Sequence, residues 1–178
     1  KDDMIHGKLA AVFHDRKIQK EYFAIVQGVP ERDRDVVEEP IGPHPRMREK
    51  MAIRREPNEG KPAETFFEVT ERFRGFATVR VLPKTGRTHQ IRLHMTHIGC
   101  PVLCDKLYGG RSQITLGEIT KDMNSPDAER VVLARQALHA RKIRFTHPET
   151  GRQLELEAPL PDDLNTMIEL LRKHRGTA

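Results

Sequence analysis

Between Gly86 and His97 the chain reads GRTHQIRLHMTH, its densest run of cationic and hydrogen-bonding side chains. A glycine-bearing turn running into a helix start offers free backbone N–H groups and the positive end of a helix dipole. Arg87, His89, Arg92 and His94 add side-chain donors close by. On a helix, His89 and Arg92 lie three apart and share one side, away from Ile91, Met95 and Ile98. Such a group suits an anion, whether a phosphate or a carboxylate held by the planar fork of an arginine. The plain alternative is a turn followed by an ordinary solvated helix face.

A second chemistry competes for the same region. His94, His97, Cys100 and Cys104 have spacings that a tetrahedral zinc site tolerates. Against it, CPVLC places three residues between its cysteines and has no matching cysteine pair elsewhere. Buried, inert thiols are the competing reading. Serine nucleophiles have no support: Ser112 and Ser125 both sit in a polar stretch without an elbow motif. No phosphate-cradling glycine-rich loop is present.

The whole chain narrows the partner. Its 178 residues carry a formal net charge of +5, with 37% hydrophobic residues. That length suits one domain, at most two, of about 100–200 residues each. No run approaches the ~18 consecutive apolar residues of a membrane-spanning helix, so no membrane partner is expected. Two cysteines make no disulfide scaffold and no leader pattern precedes them, which points to a cytoplasmic setting. Charge is uneven. Glu31 to Glu39 holds five acids against two bases, whereas Arg46 to Arg92 holds twelve Lys/Arg against six Glu. The basic stretch suits a phosphate backbone, where neutralisation releases counterions. Trp is absent and Tyr occurs twice, so a simple single-strand stacking platform is disfavoured.

The elements that must position these residues follow from periodicity. Ile5, Leu9, Val12 and Phe13 predict an amphipathic helix over 6–16, and EYFAIVQG a strand ending on Gly28. Residues 29–62 are poor in large apolar groups and rich in proline. They read as a long surface excursion with one short strand at 51–53. TFFEVTERF and FATVRVLP alternate around Arg74-Gly75 and predict an antiparallel hairpin. Ile91, Met95 and Ile98 mark the next helix, with Thr88 as cap and Gly99 as stop. Residues 111–130 read as a polar loop. KIRFTH and RQLELEA form a second hairpin around PETG. Leu164, Met167, Ile168 and Leu171 mark a C-terminal helix capped by Asp162 or Asp163. The predicted class is α+β, one domain with a mixed, mainly antiparallel sheet flanked by helices.

KEYFAIVQG, KPAETFFEV, KTGRTHQIRLHMTHIGCPVLCDKLYGG and ALHARKIRFTHPETG with APLP together resemble the RluA-type pseudouridine synthases. The likeness runs in order from about Lys8 to Leu164, and GRTHQIRLH followed by DKLYG is its most specific part. It implies isomerisation of uridine to pseudouridine in ribosomal or transfer RNA, by base flipping and without cofactor or metal. It further implies that Tyr22 packs against the flipped uracil and that Arg92 pairs with the catalytic aspartate. Arg87, His89, Gln90 and His94 are then expected to border the RNA, with Val102 and Leu103 in the apolar wall.

One departure stands out. The family's aspartate lies in a His-Arg-Leu-Asp motif upstream of the first helix, and no such motif occurs in these 178 residues. Asp2, Asp3 and Asp15 do not fit it, and Asp105 matches a family aspartate that is not the nucleophile. The expectation is therefore that residues 1–178 are the C-terminal part of a catalytic domain and are inactive alone. A catalytically silent RNA-binding homologue and a zinc-binding interaction domain are the alternatives.

Overall fold

The computed structural model describes residues 7, 8, 10–12 and 18–176. Gly7, Lys8 and residues 10–12 are helical. Ile5, Leu9 and Phe13, with the rest of the helix expected over 6–16, lie outside the described residues.

The chain then forms β1 (Gln19–Gln27), β2 (Arg34–Glu38), β3 (Ile41–Pro43), β4 (Met51–Ile53), β5 (Glu64–Phe73) and β6 (Phe76–Pro83). After these come α1 (Gln90–His97), β7 (Ile114–Thr115), α2 (Leu116–Thr120), β8 (Val131–Leu133), β9 (Leu138–Thr146), β10 (Gln153–Glu157) and α3 (Asp162–Arg175). Six strands make the main sheet in the order β10-β9-β1-β6-β5-β2, and each of its pairings is antiparallel. The α+β architecture is the expected one. Among the described residues no helix is long and apolar enough to cross a membrane.

Both expected hairpins form. β5 and β6 meet across Arg74-Gly75, where Gly75 takes φ 84°, a left-handed turn conformation that costs glycine nothing. β1 lies between β9 and β6, and its Ala24, Ile25 and Val26 are fully buried. A strand covered on both faces reads as the continuous apolar run FAIV rather than as an alternation. Tyr22, Ala24 and Val26 face the same way as Val81, Val79 and Ala77 across the ladder. Phe67 continues that row on β5, and Thr65 beside it hydrogen-bonds α1, which marks this as the face α1 covers. Phe23 and Thr78 face the other way, where Ile168 of α3 borders the same 230 Å³ cleft.

Four expectations need correction. Residues 29–62 are not one loop with a single strand. β2 pairs with β5 at the sheet edge, and β3 with β4 forms a separate hairpin. Gly42 and Gly60 allow this excursion to fold back on itself. A Cβ on them would lie 2.0 Å from the Glu59 carbonyl oxygen and 2.1 Å from that of Arg54. Residues 111–130 hold α2, whose Thr115 and Glu118 form a capping box over the buried Ile114 and Ile119. Thr88 does not cap α1, since His89 occupies that position. Neither Asp162 nor Asp163 caps α3: Pro161 occupies the N-cap position without a side-chain bond, and both aspartates sit in the first turn, where they complement the helix dipole. Asp163 is held there by Arg135 through two 2.7 Å bonds.

Candidate active site around Arg92

α1 is buried on two sides. Ile91 and Met95 join the main core, whereas Leu93 joins a second cluster with Ile41 and Ala63, against which Met51, Ile53 and Tyr108 pack. The β3–β4 hairpin is therefore a lid on the helix face opposite the sheet.

The turn into α1 is closed by a side chain rather than a cap. Gln90 Oε1 accepts from the Arg87 N–H at 2.9 Å and the Thr85 hydroxyl at 2.7 Å. Its Nε2 donates to the Glu64 carbonyl and to Thr65 Oγ1, both at 2.9 Å. One turn later the Thr65 hydroxyl meets His94 Nδ1 at 2.8 Å, and His94 Nε2 meets the Glu39 carbonyl at 3.0 Å. A carbonyl only accepts, so Nε2 carries the proton and neutral Nδ1 accepts from Thr65. Burial pushes His94 below the usual histidine range, which keeps it neutral. Gln90 and His94 are thus interior and saturated. Expected at the RNA border, they instead brace α1 against β5 and the end of β2, because each ring or amide atom is already engaged.

Arg92 emerges from this frame toward the loop after α1. Its Nε and Nη2 donate to the two carboxylate oxygens of Asp105 at 2.7 and 2.6 Å. Asp105 is buried, and its Oδ1 also accepts the N–H groups of Leu107 and Tyr108 at 3.0 and 3.2 Å. Burial by itself raises the Asp105 pKa. The Arg92 and backbone hydrogen bonds outweigh it and hold the carboxyl below its ordinary value. The same turn brings the Tyr108 ring under Arg92, whose Cζ lies 5.0 Å from the ring centroid. Two sides of the guanidinium are thereby fixed. No described residue accepts from Nη1, so one edge of the fork stays free for a further oxygen.

His89 takes φ 56° and ψ 17°, a left-handed conformation that costs a non-glycine residue about 1–2 kcal/mol. Its Nδ1 lies 3.0 Å from the Tyr108 hydroxyl. Arg87 is half-buried and donates from Nε to the Pro62 carbonyl at 3.0 Å. Tyr22 is half-buried on the α1-covered sheet face, level with Val81 and Ala140. Among the described residues no hydrogen bond, ion pair or ring contact joins it to Arg92. Val102 and Leu103 are buried and tied to β1, through a bridge to Val26 and a 2.9 Å bond to the Ile25 carbonyl. They form core, not the open wall of a pocket.

The zinc reading fails on geometry. Among the described residues no group of three His, Cys, Asp or Glu is placed to hold a metal ion. Both His94 nitrogens are occupied, and Cys104 donates to the Leu133 carbonyl while burial pushes its pKa to about 11. A thiol so protonated is a poor ligand.

The basic stretch is also less uniform than its sequence. Arg54, Arg55, Arg72, Arg80 and Lys84 pair with Glu59, Glu39, Asp33, Glu21 and Glu64. Arg46, Arg48 and Lys50, in the loop between β3 and β4, have no carboxylate partner among the described residues. Lys50 Nζ lies 5.9 Å from the Tyr108 centroid, so this loop, with three bases against the one acid Glu49, borders the Arg92 site.

The chain that carries this turn–helix is matched by known proteins along most of its length. The family model described as RNA pseudouridylate synthase matches residues 1–97. The chain belongs to that family. Among RNA pseudouridylate synthase relatives, it is 40% identical over 174 residues to an uncharacterized RNA pseudouridine synthase of Bacillus subtilis, covering 98% of this chain and 51% of that protein. It is 43% identical over 169 residues to ribosomal large subunit pseudouridine synthase D of Vibrio parahaemolyticus, covering 93% and 49%. The chain thus spans about half the length of the curated relatives it matches. The solved structure of human RNA pseudouridylate synthase domain containing 4 superposes with a TM-score of 0.74 at 28% identity, covering 97% of this chain and 69% of that one.

The pairing of Asp105 and Tyr108 with Arg92 is not visible in the sequence. Both lie in DKLYG, yet no periodicity announces that this loop doubles back onto Arg92.

Proposed function

We propose that this chain forms part of the catalytic domain of a pseudouridine synthase acting on structured RNA, ribosomal RNA in the first instance. The observation that carries the reading is the Arg92 guanidinium, fixed by Asp105 and Tyr108, with no acceptor for its Nη1 among the described residues and a net-positive loop beside it. The free edge suits the carboxylate that attacks the ribose or base of a flipped uridine. Fixing the arginine in advance means that it need not reorganise as charge develops. The reaction breaks the N-glycosidic bond, turns the uracil and rejoins it through carbon, so the base must leave its stack and water must be kept out. Tyr22, on the same sheet face, is assigned to pack against the uracil. Arg87 and His89 border the RNA, while Gln90 and His94 hold their helix in place.

The attacking aspartate is assigned to a His-Arg-Leu-Asp motif outside these 178 residues, and the protein to the cytoplasm where its RNA resides. The test is pseudouridine formation on a ribosomal RNA fragment. The 20.5 kDa chain is expected to bind the RNA without modifying it, and the chain extended upstream through that motif to convert uridine. Turnover by the 20.5 kDa chain, verified by intact mass, would overturn the assignment of the nucleophile. Absence of RNA binding by either form would overturn the function.

A further inference from the structure

Tyr108 joins three elements that the chain keeps far apart. Its hydroxyl accepts the Met51 N–H of β4 at 2.8 Å and lies 3.0 Å from His89 Nδ1. Its ring lies 5.0 Å from the Arg92 Cζ and meets the His89 ring edge-on at 5.6 Å. The hydroxyl has one proton to give. Two acceptors compete for it: His89 Nδ1 at 3.0 Å and the Met51 carbonyl at 3.4 Å. The shorter contact is a proper hydrogen bond and the longer is at its limit. The shorter contact favours Nδ1 as the acceptor of that proton.

Burial, with the Arg92 charge added, lowers the His89 pKa, so the ring is neutral and its single proton must sit on Nε2. No described residue accepts from Nε2. The left-handed backbone at His89 belongs to the same arrangement. It is strain that the chain tolerates at the mouth of the site, where it turns the ring onto Tyr108.

Resting on the function proposed above, we infer that Tyr108 is a positioning residue that locks His89 in one tautomer, so that its Nε2–H donates to an acceptor oxygen of the bound uridine nucleotide. Through Met51 the same hydroxyl ties that donor to the β3–β4 hairpin. Docking of RNA on the hairpin and alignment of His89 are then one event. Tyr108 acts through His89 and Arg92 and touches no RNA itself.

Two measurements test this. First, imidazole nitrogen NMR of the histidine-labelled 178-residue chain, with His89 assigned by substitution, reports which nitrogen is protonated. The wild-type chain is expected to show His89 with the proton on Nε2. Tyr108→Phe, which keeps the ring, is expected to give a mixture of tautomers with the fold intact by circular dichroism. A proton on Nδ1 in the wild type, or an unchanged tautomer in Tyr108→Phe, overturns the inference.

Second, RNA affinity is compared for His89→Gln and His89→Asn. Glutamine places its amide near Nε2 and asparagine near Nδ1, while the left-handed backbone favours asparagine. Loss of one hydrogen bond to a charged or strongly polar acceptor is expected to weaken His89→Asn about tenfold, with His89→Gln staying near wild type. Equal affinities for the two variants, with wild-type binding normal, overturn the inference alone. Failure of the wild-type chain to bind RNA overturns the RNA reading, and the NMR result still decides the Tyr108–His89 pairing.

Discussion

Arg92 and Asp105 stand 13 residues apart and meet through two parallel hydrogen bonds of 2.7 and 2.6 Å, the carboxylate buried and the guanidinium mostly so. Asp105 has a second task, since the oxygen that takes Arg92 Nη2 also gathers the N–H groups that turn the chain toward Tyr108. One carboxylate thus sets both the arginine and the ring beneath it.

Asp105→Ala should therefore destabilise the fold by about 3 kcal/mol, because it strands a largely buried cation and releases the turn. Replacing both partners, as Arg92→Met with Asp105→Leu, should restore much of that loss. Urea unfolding of the two variants beside the wild type checks it. A single-variant cost below about 1 kcal/mol would place the pair in the class of surface bridges.

Arg92→Lys in the chain extended through the aspartate motif should lower pseudouridine formation at least a hundredfold, while RNA affinity changes by less than about threefold. Lysine keeps the charge but not the planar fork that can hold Asp105 on one edge and a second oxygen on another. Turnover close to wild type would remove Arg92 from the reaction.

Stability should fall as the medium turns acid, in two stages. His94 is depressed in the folded state, so the unfolded chain takes up a proton first. The stability it contributes is whole above about pH 6.5 and is lost as pH falls toward its folded value. Asp105 is likewise depressed, and its share persists down to about pH 4 before being lost. Urea midpoints at pH 8, 6, 5 and 3.5 should show both stages, and His94→Gln should shrink the first, leaving the share of His89, which is lowered too. A first stage of unchanged size in that variant would assign it to another group.

Cys100 and Cys104 should not react with a thiol reagent at pH 8 in the native protein and should both react in guanidinium. Burial excludes the reagent and raises both thiols, Cys104 to about 11. Fast native labelling of either cysteine would contradict the packing around β1.

RNA binding should weaken steeply with salt. Exchanging Arg46, Arg48 and Lys50 together for glutamine should cut the slope of log affinity against log salt by about 2–3, since each phosphate contact contributes about 0.7–0.9. An unchanged slope would place the RNA elsewhere.

The local elements were legible because their causes are local. The alternation of TFFEVTERF and FATVRVLP, the turn at Arg74-Gly75 and the spacing of Leu164, Met167, Ile168 and Leu171 all appear as expected. The α2 helix was missed: its Thr115–Glu118 capping box lies in a stretch whose polarity reads as loop. The motif GRTHQIRLH marked the place of the site, but which of its members face outward depends on what lies on either side of the helix. Gln90 and His94 turn inward because Thr65, Glu64 and Glu39 supply complementary partners from strands 25 to 55 residues away.

By itself, then, the sequence determined the long strands β1, β5, β6, β9 and β10, the helices α1 and α3, and the residue types available for anion chemistry, since propensity and periodicity act over a few neighbours. Only the tertiary structure decided that Asp105 clamps Arg92, that Tyr108 ties His89 to the β3–β4 hairpin, and that half of a basic stretch is neutralised by ion pairs. Those contacts join residues distant along the chain, and no spacing rule encodes them. They exist because the sheet and the β3–β4 hairpin bury α1 from opposite sides, and a buried polar group must find its partner wherever the fold brings one.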